Sequence, residues 1–169
     1  MVKFMKKLFL VIVCFVVACS QEQNMEVAAL DRLAPDFVLF DLEGKKWSLS
    51  QLKGQVIFLN FWATWCPPCV AEMPSMEKLY GMLPKDSFKM LAVLNNDDPV
   101  IAEAFVQKIS ITFPILDDRK NLVAPKYGLT GVPETFIIDK QGIVREKFIG
   151  PVEWDSPAGE RLLLKYINR

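Results

Sequence analysis

Seven residues, Val56-Ile57-Phe58-Leu59-Asn60-Phe61-Trp62, form a short apolar run broken only by Asn60. A strand with one wet face alternates apolar and polar positions, so a run of this kind reads as a buried central strand. The segments around it alternate in type. Asp36 to Leu42 and Lys46 to Leu49 flank Glu43-Gly44 and read as an N-terminal hairpin. After the run, the pattern predicts a helix over 67–83, a strand over 90–94, a helix over 99–109 and a strand over 113–116. A short helix near 122–127 follows, then strands over 135–138 and 143–148 joined by Lys140-Gln141-Gly142. A terminal amphipathic helix spans 156–167, with Leu162, Leu163, Tyr166 and Ile167 largely on one face. The expected fold class is therefore α/β, a mixed central sheet covered on both faces, with the N-terminal hairpin as an extension.

The first eighteen residues stand apart. Lys3, Lys6 and Lys7 precede an almost unbroken apolar run from Leu8 to Cys19, and Ser20 to Asn24 are all polar. This is the charged and then apolar layout of an export signal. As a helix the run would cover roughly 18 Å, short of the roughly 30 Å hydrocarbon core. Val16-Val17-Ala18-Cys19 resembles the lipobox of bacterial lipoproteins, in which the cysteine is lipidated and becomes the first mature residue, although leucine is commoner than valine at position 16. Ala18-Cys19-Ser20 also fits an ordinary signal-peptidase site, which would release a soluble protein. The expected organisation is a signal peptide at 1–18, a lipidated N-terminus and tether at 19–33, and one domain at 34–169. The expected location is extracytoplasmic and membrane-anchored through lipid, with a soluble periplasmic or secreted form as the alternative.

Composition removes several function classes. The 169 residues contain no histidine, which excludes Ser-His-Asp and Cys-His catalysis and histidine-ligated metals. Twenty basic residues against twenty acidic ones supply no basic field for nucleic acid. Without residues 1–18 the balance becomes seventeen to twenty, a formal charge of −3. Four cysteines are too few for a disulfide scaffold, and Cys14 and Cys19 fall in or at the leader.

The remaining two stand in Trp65-Cys66-Pro67-Pro68-Cys69, between the central strand and the first long helix. A helix N-terminus favours a thiolate on the first cysteine, and a second one turn later can resolve a mixed disulfide internally. Half of a zinc site, a structural disulfide and two unconnected thiols are the competing readings. Zinc wants about four ligands, and so short a disulfide loop restrains the unfolded chain little. No metal and no cofactor is expected.

The run Asn60-Phe61-Trp62-Ala63-Thr64-Trp65-Cys66-Pro67-Pro68-Cys69, with Glu72, Pro74 and the later Gly131-Val132-Pro133-Glu134-Thr135-Phe136, resembles the TlpA/ResA and DsbE/CcmG group of extracytoplasmic thioredoxin-fold proteins. The likeness covers essentially all of 34–169. It implies a thioredoxin fold, a cis peptide bond before Pro133, and a Val132 backbone that pairs with an extended substrate. It also implies thiol-disulfide exchange through Cys66 and Cys69, clients such as apocytochrome c, and recharging by a membrane donor of the thiol-disulfide type. Cys66 at the helix tip is the expected attacking sulfur, and Cys69, one turn inside, the buried resolving one. Trp65 reads as part of the exposed rim or as a cap on the core.

Two features bear on the direction of electron flow. Pro67 and Pro68 lack amides that could have donated to a Cys66 thiolate. Glu72 lies three residues past Cys69, on its helix face, where a carboxylate and apolar walls raise a thiol pKa and make the couple more reducing. Glutamate at this spacing tunes the dithiol in the resembled proteins; a solvated helix residue is the plainer reading. Thioredoxin carries a buried aspartate six residues before its first cysteine, where this chain has Asn60, leaving Glu72 as the candidate proton carrier. The candidate catalytic residues are thus Cys66, Cys69 and Glu72. Trp65, Pro67, Val132, Pro133 and Glu134 are candidates for substrate contact, although Glu134 also reads as a polar residue opening a strand. Pro74 reads as a structural kink. Protein-disulfide reduction is the expected activity, with an oxidase or isomerase as the alternative within the same chemistry. A thiol peroxidase and a non-catalytic peptide-binding lipoprotein are the alternatives outside it.

Overall fold

A computed structural model describes residues 27–169. Residues 1–18, Cys14 and Cys19, and with them the leader and the lipid site, lie outside the described residues. Strand β1 (Val38–Phe40) pairs antiparallel with β2 (Lys46–Ser48) as the expected hairpin. A five-stranded sheet follows, built from β3 (Val56–Trp62), β4 (Phe88–Asn95), β5 (Ile115–Asp118), β6 (Glu134–Ile138) and β7 (Val144–Ile149). Its order is β5-β4-β3-β6-β7. β3 and β5 run parallel to β4, whereas β6 is antiparallel to β3 and β7 to β6. The helices are α1 (Pro67–Met82), α2 (Pro99–Lys108) and α3 (Pro157–Ile167).

Every residue of β3 is buried, as its apolar run requires. Both faces of the sheet are covered, but by different material. Val56, Phe58 and Trp62 pack with Met73 and Met76 of α1, Ala102 and Val106 of α2, and Leu163 and Ile167 of α3. Ile57, Leu59 and Phe61 on the other face meet Phe37, Leu39 and Trp47 of the hairpin and Tyr127 of a 3-10 turn over Ala124–Tyr127. The hairpin therefore does the work of a helical layer.

Strand β5 runs two residues past its expected end at Leu116. Aspartate pairs usually mark turns, but Asp118 is 1% exposed and its carboxylate accepts the amides of Leu122, Val123 and Ala124. The segment 27–33, expected as tether, is already seated on the domain. Ala28 N–H donates to Lys126 O at 2.8 Å, Asp31 N–H to Val144 O at 2.8 Å, and Asp31 pairs with Arg145 at 2.7 Å.

Before α3, the turn 150–156 buries Trp154, whose ring meets Phe58 and Phe148 edge-on at 4.6 and 5.1 Å. Ser156 caps α3 by accepting Gly159 N–H at 3.2 Å. A Cβ on Gly159 would lie 2.3 Å from the Trp154 carbonyl oxygen, which is backbone and cannot swing away. Gly159→Ala is expected to lower unfolding free energy by about 1–3 kcal/mol, read as a lower urea midpoint at unchanged m-value.

Candidate active site

The C-terminal end of β3 hands the chain through Ala63-Thr64-Trp65 to Cys66, which is the N-cap of α1, with Pro67 and Pro68 as its first residues. Proline is well suited there, because its fixed φ matches the helix and its missing amide would have been unpaired. Cys66 and Cys69 are joined in a disulfide, with Cα atoms 5.3 Å apart. The two prolines do not leave the Cys66 sulfur without a donor: Cys69 N–H points at it from 3.2 Å. Nor is that sulfur prominent. Cys66 is 3% exposed and Cys69 fully buried, so the difference in access is small while the disulfide is closed.

Trp65 stands out at 59% exposed, on the rim rather than in the core, with its indole N–H 3.5 Å from Asn96 O. Pro67 is also exposed. Asp97 grips the approach to Cys66 by accepting both the amide and the hydroxyl of Thr64, at 2.6 and 2.7 Å. From the other side comes the Val132-Pro133 segment, whose peptide bond is cis. Val132 O lies 3.5 Å from Cys66 Sγ, within reach of a Cys66 thiol once the disulfide opens.

Glu72 is not a solvated helix residue. It is 4% exposed and buried on the same helix as Cys69. Its Oε1 accepts Asn60 Nδ2 at 2.9 Å and its Oε2 accepts Val152 N–H at 3.1 Å. Asn60 Nδ2 also donates to Thr135 Oγ1 at 2.9 Å, which ties β3, α1 and β6 together behind the disulfide. Burial pushes the Glu72 carboxyl up to about 7, against the pull of the Val152 amide, the Asn60 amide and the nearby Trp154 indole. Trp154 Nε1 itself makes no hydrogen bond of ordinary geometry. Asn60, from β3, and Val152 and Trp154, from the turn before α3, thus surround Glu72.

Glu134 points inward, to partners within the domain. It is fully buried, its Oε1 taken by the Thr130 amide and hydroxyl at 2.8 and 2.5 Å and its Oε2 2.9 Å from Lys147 Nζ. Burial opposes ionisation of this carboxyl, but Thr130 and Lys147 outweigh it and hold the group below its ordinary value. Among the described residues no group of three or more His, Cys, Asp or Glu side chains is placed to hold a metal ion.

The AhpC/TSA family profile matches residues 30–147, which include β3, the disulfide and the cis-proline loop. The chain belongs to the AhpC/TSA family. Within this family it is similar to the thiol-disulfide oxidoreductase ResA of Geobacillus thermodenitrificans, at 43% identity over 122 residues, 72% of this chain and 70% of that one. It is similar also to ResA of Bacillus cereus, at 37% identity over 147 residues and 85% of each chain. Among solved structures, a candidate thiol:disulfide interchange protein DsbE from Chlorobium tepidum superposes with a TM-score of 0.74 at 29% identity, covering 83% of this chain and 99% of that one. The AhpC/TSA domain here is accordingly a ResA-like thiol-disulfide oxidoreductase with a thioredoxin fold, and Cys66 and Cys69 are its redox-capable pair.

Proposed function

We propose that the chain works outside the cytoplasm, tethered to a membrane through lipid on Cys19, as a reductant of protein disulfides. The observation that carries the direction is the buried Glu72 carboxyl on the helix of Cys69. When ionised, it disfavours a second negative charge on that thiol, and burial of both sulfurs does the same. A dithiol whose thiolate is poorly stabilised holds its electrons weakly and so reduces other disulfides. The leader pattern ahead of Cys19 supports the location. The likeness to the TlpA/ResA group supports apocytochrome c as client and a membrane thiol-disulfide donor as source of electrons.

In the reduced protein, the Cys66 thiolate forms a bond to one client sulfur, and the other client sulfur leaves as a thiolate that takes a proton. Cys69 then gives its proton to the Glu72 carboxylate and attacks Cys66 Sγ. The second client sulfur departs and is protonated in turn. Two electrons have passed to the client, whose disulfide is now a dithiol, and Cys66–Cys69 is closed as in the structure. Recharging by the donor reverses the exchange.

Equilibration with a dithiothreitol redox buffer, read by thiol labelling, is expected to give a potential well below about −220 mV. A value near −120 mV would make the protein an oxidant and overturn the direction proposed.

A further inference from the structure

The loop that carries Val132 to the disulfide is exposed at Thr130 and Gly131 and partly so at Val132, yet it is held from beneath by the buried Glu134. Glu134, the first residue of β6, reaches back past Pro133 to take both donors of Thr130. Lys147 on β7 stands across from Phe136 in the sheet register. Its ammonium lies 2.9 Å from Glu134 Oε2, 3.4 Å from Gly128 O and 5.0 Å from the centroid of the Phe136 ring. On the far side of the turn, Gly150 N–H holds Pro133 O at 2.9 Å. Residues 128, 130 and 133 are thereby pinned, and the segment between the last two, Gly131-Val132, presents its carbonyl to Cys66 Sγ.

Glu134 is buried while Lys147 is only half-buried, and such an ion pair is a weak source of stability, because desolvation of the buried charge offsets much of the attraction. Its use is to define one arrangement of the groups it joins. We propose that Thr130, Glu134 and Lys147 form a latch that fixes the Val132 backbone for a client segment docking edge-on in extended conformation. All three are positioning residues, since none touches a reacting sulfur. The partner chemistry is main-chain amide pairing of the kind by which a peptide adds to a sheet edge. The latch rests on the proposed reading that a protein disulfide docks along Val132.

The test uses the full chain with insulin as the disulfide-bearing probe and follows steady-state reduction. Glu134→Gln, which removes the charge pair, is expected to raise KM about tenfold with kcat changed less than about twofold. Thr130→Val, at an exposed loop position where folding is not at stake, should raise KM about threefold. Lys147→Arg keeps the pair and should restore the wild-type KM, and the Cys66–Cys69 potential should be the same in all four proteins. Folded variants with wild-type KM overturn the latch, as does a potential that moves with the substitution, because that would place the effect at the sulfurs. Wild-type protein that fails to reduce insulin overturns the docking reading together with the latch; wild type that succeeds beside unchanged variants overturns the latch alone. If Glu134→Gln does not fold, Thr130→Val decides.

Discussion

Cys69→Ser is expected to stop multiple turnover, by about a thousandfold or more, and to leave Cys66 joined to the client. The size follows from geometry. Cys69 is fixed one helical turn from Cys66, and a resolving thiol held that close acts at an effective concentration no solution thiol approaches. It is also fully buried, so no other protein thiol occupies its place. Serine is nearly the same size and retains the residue 69 amide that points at Cys66 Sγ, so the fold and the first step should survive. Non-reducing electrophoresis should then show a mixed disulfide from Cys66 and none from Cys66→Ser, whose remaining thiol has no route to a client. Turnover that persisted in Cys69→Ser would mean a one-cysteine chemistry of the peroxidase kind, and the dithiol mechanism would fall.

The parts of this site that could be read in the sequence are those whose meaning is local. A seven-residue apolar run bounded by turns reads as a buried strand without knowledge of its neighbours, and two cysteines at the start of a helix are close in any fold that keeps the helix. Glu72 was legible as a neighbour of Cys69 for the same reason, three residues on along one face. Its burial was not, since that depends on Asn60, Val152 and Trp154, which arrive from β3 and from the turn before α3. Glu134, which read either as a partner contact or as a polar residue opening a strand, is the converse case. Beside the cis-proline it looks like a group offered to a partner, and only the β6–β7 register, which brings Lys147 up to it, shows that it points inward. The hairpin is a third instance: β1 and β2 were legible as strands, but nothing in their alternation says that they cover the face of the sheet opposite the three helices. Pairwise contact over tens of residues is set by topology, and one sequence carries little trace of it.

Glu72→Gln is expected to remove a pH dependence from both stability and catalysis. The Glu72 carboxyl is raised from 4.5 to about 7 in the folded chain, so between those values the folded state binds a proton that the unfolded state has released. Stability from this group is complete below about pH 4.5 and is lost as pH rises through about 7, by on the order of 3 kcal/mol. Glutamine carries no charge to bury. Its amide must, however, face Asn60 Nδ2 or Val152 N–H donor to donor, which forfeits about 1 kcal/mol. Above pH 7 the cost of burying the wild-type carboxylate exceeds that forfeit, so the variant should be the more stable protein there by about 2 kcal/mol. Urea midpoints across pH 4–9 should show the wild-type decline absent from the variant. Catalysis should move the other way. If the Glu72 carboxylate takes the proton from Cys69, its loss slows resolution of the mixed disulfide and erases the ionisation near 7 from the rate profile. Stopped-flow measurement of that step against pH separates the two roles: a stability change with an unaltered profile would leave Glu72 as a buried charge with no part in moving the proton, and the pair would then have to resolve through solvent.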